Sequence, residues 1–351
     1  MRLFSASSFV QFLIKICFIP VQLTEDRIVF KFVSWRTLVH ILVYYGWNII
    51  GSIVIGLPLL KELLSNMTAV EMINIQLWNL CYLVSITLPL FLSHGLKNLE
   101  PKLLVKKTLK WPYQIWKIFL VMVPFTINHL AYNVPSIIIS LPALQTSTVQ
   151  IIFQLIVTVV TMVQTLLNFF LITIFVNIIL ENSCFKENMV DEFFRRSLKH
   201  LDCFETLNPA LESFFLVFYS TIQFLSVFIL FKTLTFFINH EDRNLYDYIN
   251  STGLFLSMLC LMYNLLFLTK MTDRTFQSML SLGRQIQERL LVTREKTERQ
   301  SLKYLMKRVE MLKPLNACGY FDIAKTTLTS MVSVRYKIQI FYGSQFAINR
   351  V

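Results

Sequence analysis

Six apolar runs, each about the length a bilayer demands, restrict this chain's fold more than any other feature. They cover residues 38–60, 70–92, 115–141, 148–180, 211–237 and 251–268. A hydrocarbon core about 30 Å thick is crossed by a helix of about 20 apolar residues. With no water to satisfy the backbone, runs of this length cross as helices. A seventh run, 321–342, is interrupted by Lys325, Thr326, Thr327, Thr329, Ser330, Ser333, Arg335 and Lys337. A lipid-facing helix does not tolerate that many polar groups, whereas one lining water does. Composition agrees: 55% of the 351 residues are apolar, Phe alone contributes 31, and only 15% are charged, against about a quarter in soluble domains. The expected fold class is all-α, a polytopic membrane protein with seven transmembrane helices.

Orientation follows from where Lys and Arg fall in the connections. Residues 1–36 hold five, the connection after the second run five more (Lys97, Lys102, Lys106, Lys107, Lys110), and that after the fourth run Lys186, Arg195, Arg196 and Lys199. The connection before the last run holds eleven, from Lys270 to Lys313. The three alternate connections hold Lys61, none and Arg243. The N-terminus is therefore expected inside and the C-terminus outside, the reverse of a seven-helix G-protein-coupled receptor. The sequons at Asn66 and Asn250 fall beside predicted outer connections and are the candidate glycosylation sites. All six cysteines fall in spans or inner segments, so no structural disulfide is expected. The net charge of +12 reads as cytoplasmic anchoring charge beside apolar spans rather than as a nucleic-acid footprint.

Arg2 precedes an apolar stretch, but Lys15 breaks it and no small-residue cleavage site follows, so no signal peptide is read. The organisation expected is a cytoplasmic N-terminal segment, 1–35, with Phe9, Phe12 and Ile16 on the membrane surface. A bundle of six helices occupies 36–268, a cytoplasmic helical anchor 269–315, and the seventh helix with a short outer tail 316–351. Span four is longer than a bilayer needs, so its far end projects into the cytoplasm. The stretch from Lys270 to Lys313 lacks internal Pro and is rich in helix formers; it reads as one helix ended by Pro314. Its apolar residues Ile286, Leu290, Val292, Leu302, Leu305, Val309 and Leu312 repeat at helical spacing. They predict packing against the inner end of span four or against another subunit.

No H-E-x-x-H, phosphate-binding Gly-rich loop or G-x-S-x-G is present, and the five histidines are scattered without metal-ligand spacing. An enzyme, a metal site and a bound cofactor are not expected, and no repeats or broken helices suggest a transporter. Span four carries Gln150, Gln154, Thr158, Thr161, Thr165 and Asn168 on one helix face. That face either bonds neighbouring helices or walls a small-molecule pocket. Asn128, His129, Tyr132 and Asn133 in span three, and Asn74, Trp78, Asn79 and Tyr82 in span two, add the aromatic walls and few polar groups that an orienting pocket uses. The candidate ligand pocket is thus Trp78, Tyr82, Asn128, His129, Tyr132, Asn133, Gln150, Gln154 and Thr158.

The stretch Asn316-Ala317-Cys318-Gly319-Tyr320-Phe321 resembles the Thr-Ala-Cys-Gly-x-Phe head of the last span of insect gustatory receptors. The terminal Gln345-Phe346 resembles the end of that family's signature of Thr-Tyr, five apolar residues and Gln-Phe. Here Arg335-Tyr336 stands where the family has Thr-Tyr, and eight residues, Lys337, Gln339, Gly343 and Ser344 among them, separate Tyr336 from Gln345. The motif-level likeness is confined to about the last 35 residues and marks a divergent or gustatory-receptor-like member. The resemblance implies a tetrameric, ligand-gated cation channel in the plasma membrane, homomeric or built with related subunits. A tastant or similar small molecule would bind among helices two to six, and each last span would line a central pore.

Thr326, Thr329, Ser330 and Ser333 then supply hydroxyls along the pore, Leu328 and Met331 an apolar gate that closes by dewetting, and Gln345 its outer end. Arg335 and Lys337 lie near the outer mouth. Facing the axis, they would oppose cations and favour a gustatory-receptor-like protein that does not itself conduct them. Snorkelling to the headgroups, they would leave the pathway open.

Overall fold

A computed structural model of the protein describes residues 6–25, 27–46, 83–84, 87–100, 104, 168–184, 193–238 and 245–323. Helix α1, Ala6–Lys15, is followed by a two-stranded antiparallel hairpin of β1, Gln22–Leu23, and β2, Ile28–Val29. Helix α2, Trp35–His40, continues through a π-helical turn, Ile41–Tyr45. Ser34 starts α2 because its hydroxyl accepts the Thr37 N–H at 3.3 Å, which satisfies one of the orphan donors of a helix N-terminus. Helix α3 covers 87–96 and α4 is Asn168–Ser183. The two longest elements are α5, Phe193–Ile238, and α6, Leu245–Val292; α7, Lys296–Met311, follows. The hairpin qualifies the all-α expectation. The chain folds back on itself between β1 and β2, so the buried backbone groups there need partners that a helix alone does not supply.

Helices α5 and α6 contain 46 and 48 residues. At the α-helical rise each is about 70 Å long, more than twice a hydrocarbon core of about 30 Å. The expected fifth and sixth spans are the apolar parts of these longer rods. Within α5, Phe193–Val227 is long and apolar enough to cross a membrane by length and composition, the one such stretch among the described residues.

A large apolar core joins α1, α3, α4, α5 and α6, with Leu13, Phe18, Leu88, Phe175, Phe214, Phe218 and Leu265 fully buried. In α1 the face carrying Val10, Leu13 and Ile14 is buried, while Phe12 is 52% and Ile16 38% exposed. Phe9, expected on the membrane surface with those two, packs instead against the core. Where α3 meets α5 the backbones touch: a Cβ on Gly95 would fall 1.7 Å from the Ala210 carbonyl oxygen.

A second, smaller core sits where α5, α6 and α7 converge. It buries Phe193 and Leu201, Leu282 and Ile286, and Leu302, Leu305 and Val309. The apolar repeat in the long basic stretch thus packs on the first turns of α5, a neighbour absent from the expectation of span four or another subunit. The single helix expected from Lys270 to Lys313 is also corrected, for α6 stops at Val292 and α7 begins at Lys296. The stripe of α7 is covered only if the chain turns back along α6, where a Cβ on Gly283 would stand 2.8 Å from a methyl of Val309. Val292 lies at that turn, 81% exposed, and does not join the repeat. Helix α7 ends at Met311, ahead of Pro314, as expected.

Candidate functional site

The polar last segment is launched by a tight hairpin, Leu315 to Ile323. The Ile323 N–H donates to Leu315 O at 2.7 Å and the Ala317 N–H to Phe321 O at 3.0 Å. Across the turn the Tyr320 N–H donates to Ala317 O at 3.0 Å. Both central residues have positive φ, 51° at Cys318 and 76° at Gly319, the pattern of a type I′ turn, whose twist matches its strands. The Asn316 side chain holds the turn by accepting the Gly319 N–H at 2.9 Å. A Cβ at Gly319 would meet nothing within 4 Å. Its glycine therefore answers to backbone conformation rather than to space. Asn316, Cys318 and Gly319 of the family-like stretch thus specify one turn.

Two helices hold this hairpin. On α5 the Asn208 Oδ1 accepts the Asn316 N–H at 2.9 Å, the Ser213 hydroxyl lies 3.9 Å from the Cys318 thiol, and the Tyr219 ring packs at a tilt against Phe321, centroids 5.9 Å apart. On α6 the Thr269 hydroxyl donates to Leu265 O at 2.8 Å, so its oxygen accepts from the Tyr219 hydroxyl at 2.6 Å. The Thr272 hydroxyl gives its proton to Thr269 O at 2.8 Å and lies 3.4 Å from Ile323 O. Leu315, Ala317 and Ile323 are buried in the large core, while Cys318, Gly319 and Tyr320 are exposed. One face of the hairpin is therefore wedged across α5 and α6 at the point where the last segment departs.

Charged contacts fix the surrounding helices. Arg308 of α7 reaches both oxygens of Glu205, Nε to Oε1 at 3.1 Å and Nη2 to Oε2 at 2.5 Å, and pairs with Asp202 at 2.8 Å. The hydrogen bonds to Glu205 raise the guanidinium above its ordinary value, so its charge is permanent and the planar fork is used bidentately. Glu205 stands four residues before Pro209, which lies inside α5 and has no N–H for the Glu205 carbonyl. At the end of α4, Arg274 pairs with Glu181 at 3.3 Å. The Cys184 thiol lies 3.7 Å from the Thr275 hydroxyl, and burial pushes that thiol up.

Most sequence-predicted site residues lie outside the described residues. These are Trp78, Tyr82, Asn128, His129, Tyr132, Asn133, Gln150, Gln154 and Thr158 of the pocket, and Thr326, Leu328, Thr329, Ser330, Ser333, Arg335, Lys337 and Gln345 of the last segment, with Asn66. Asn250 falls inside α6, which begins at Leu245, rather than in a connection. Asn168, the last member of the span-four stripe, is described and buried at 3% exposure. Sequence reasoning missed Asn208, Ser213, Tyr219, Thr269 and Thr272. The signals were an Asn-Pro pair inside a helix-length run and threonines at steps of three, Thr269, Thr272 and Thr275, all buried. Among the described residues no cluster of His, Cys, Asp and Glu is suited to a metal ion.

No protein-family model and no curated protein matches the sequence. Solved structures do match. The insect olfactory receptor OR5 from Machilis hrabei has a TM-score of 0.62 at 13% identity, over 95% of this chain and 96% of that one. The same receptor in complex with eugenol has a TM-score of 0.64 at 12% identity, over 96% and 97%. At such identities the likeness is one of fold, and it runs almost the full length of both chains. The mostly helical fold of this protein is that of an insect olfactory receptor.

Proposed function

We propose that the chain is a chemosensory receptor subunit of the gustatory type, a multi-pass plasma-membrane protein that acts as a ligand-gated cation channel in a homo- or hetero-tetramer. The observation that carries this reading is the likeness of fold to an insect olfactory receptor, one structure of which holds eugenol. The polar last segment and its Ala317-Cys318-Gly319 head, resembling gustatory receptors, favour the gustatory branch. A small molecule held among helices two to six favours whichever arrangement of α5 and α6 it binds more tightly, and it shifts the population by that difference in affinity alone. Because the hairpin is hydrogen-bonded to α5 and lies against Thr272 of α6, such a shift reaches the start of the last segment without any further element.

Arg335 and Lys337 support a second reading, a gustatory-receptor-like subunit that does not itself conduct cations, since basic rings repel them. Current recording from cells expressing the chain alone, under a panel of small aromatic and sugar ligands, divides the two. Ligand-evoked cation currents establish the first reading. Silence of both the native chain and the Arg335→Gln/Lys337→Gln variant, with surface expression confirmed, overturns it. Currents from the variant alone assign the silence to those two charges.

A further inference from the structure

We infer that the N-terminal segment binds an anionic phospholipid of the cytoplasmic leaflet, with the headgroup at Lys15, Lys31 and Arg36 and the acyl chains along the apolar residues that lead into the first span. Two hydrogen bonds join the three stretches that carry these cations. The Arg36 Nη1 donates to Ile14 O at 3.0 Å, beside Lys15 at the end of α1. The Thr37 hydroxyl donates to Lys31 O at 2.9 Å, beside Arg36. The Arg36 guanidinium also lies 4.9 Å over the Trp35 ring, which holds its plane. Of its five N–H donors, the bond to Ile14 O occupies one. Lys15 and Lys31 are exposed, and none of the three cations is in a salt bridge among the described residues. Glu25 lies in the turn of the hairpin, at the opposite end from Lys31.

The surface around these cations is apolar in a way that water does not favour. Phe32 is 69% exposed, Val33 93%, Trp35 62%, Leu38 56% and Leu42 60%, and these residues lead directly into the span expected at 38–60. Continuity with that span identifies the bilayer as what covers it. An aromatic residue at the interface with cations just inside it is how a segment lies in a leaflet boundary. The three cations attract acidic headgroups of the inner leaflet.

The inference rests on the reading that the chain crosses a bilayer from this segment with its N-terminus inside. Its test is tryptophan quenching of the full-length protein in nanodiscs that contain brominated phosphatidylserine or brominated phosphatidylcholine at equal fraction. The component lost in Trp35→Phe is the signal of Trp35. Stronger quenching of that component by the serine lipid is expected. Lys15→Gln/Lys31→Gln, which leaves the Arg36 contact in place, lowers the preference about fivefold for each lysine removed. Equal quenching by both lipids, unchanged in the double variant, overturns headgroup selection. No quenching by either overturns the placement of the segment in a bilayer. Selective quenching in a chain that gives no ligand-evoked current leaves the lipid site standing and counts against the receptor reading alone.

Discussion

Gly95→Ala is expected to be the most damaging single-methyl change among the described glycines. The added carbon would stand 1.7 Å from the Ala210 carbonyl oxygen, 2.7 Å from its carbon and 3.3 Å from its Cα. Carbon and carbonyl oxygen approach to about 3.3 Å, so α3 and α5 must separate by about 1.5 Å. All three opposing atoms are backbone, so no rotamer change relieves the clash. Leu92 and Leu96 on one helix, and Leu207 and Leu211 on the other, are fully buried beside the contact. A radial gap of 0.5–1 Å forfeits about a quarter to a half of each dispersion contact. Overpacking alone costs about 1–3 kcal/mol. With the lost contacts the total exceeds the gain of about 1 kcal/mol that Ala brings over Gly in a helix, and a net loss of about 3 kcal/mol follows. Gly46 is the control: it is helical, with φ −58°, and nothing lies within 4 Å of its added Cβ. Gly46→Ala should therefore raise stability by about 1 kcal/mol. The assay is the thermal midpoint by fluorescence-detected size-exclusion chromatography in one detergent. If Gly95→Ala melts at or above the native chain while Gly46→Ala behaves as expected, the close approach of α3 to α5 is refuted.

Asn208→Ala leaves the Asn316 N–H without its acceptor at 2.9 Å. The expected cost is about 1–3 kcal/mol, read as faster hydrogen exchange confined to residues 316–323; unchanged exchange there would remove Asn208 as the anchor of the hairpin. Gly319→Ala forces a side chain to φ 76° at a cost of about 1–2 kcal/mol, and Gly319→Asn, which tolerates that region, should lose less in the same exchange measurement. Arg308→Lys breaks the two-pronged contact with Glu205. The carboxylates are about half exposed, so the loss is held to about 1 kcal/mol, and limited proteolysis at 293–295 should accelerate about fivefold at that cost. Thiol alkylation of the folded protein should reach the exposed Cys318 before Cys17 and Cys184. Burial raises both latter thiols, which lowers their thiolate fraction at neutral pH; peptide mass spectrometry reads the order.

Periodicity revealed the helices but not their lengths. The fifth and sixth runs were bounded by hydropathy at 211–237 and 251–268, because a window scan stops where charges begin. The backbone does not stop there: Arg195, Lys199 and Glu205 sit on the solvent-facing part of the same rod as Phe214. The break at 293–295 was equally hidden, since no Pro or Gly marks it and the residues on either side favour helix. Thr293 and Glu295 become a turn only because the buried stripe Leu302, Leu305 and Val309 must fold back over Leu282 and Ile286. The hairpin at 315–323 was legible as a motif through Gly319 and Asn316, but its partners were not. Asn208 and Asn316 are 108 residues apart, and no local pattern announces a pair at that separation.

By itself the sequence determined that the chain is mostly helical and carries apolar runs of bilayer length. Apolar run length is a property of the chain measured against a fixed hydrocarbon thickness, and the Lys and Arg asymmetry is a count that needs no coordinates. The turn at Cys318-Gly319 likewise depends on residues adjacent in the chain. Tertiary structure alone decided what those elements rest on. Contact between α5 and the hairpin, the closure of α7 over α6, and the Arg36 bond to Ile14 O each join residues distant in sequence. Such contacts form only when the whole set of buried faces is satisfied together, because each costs chain entropy that no single contact offsets.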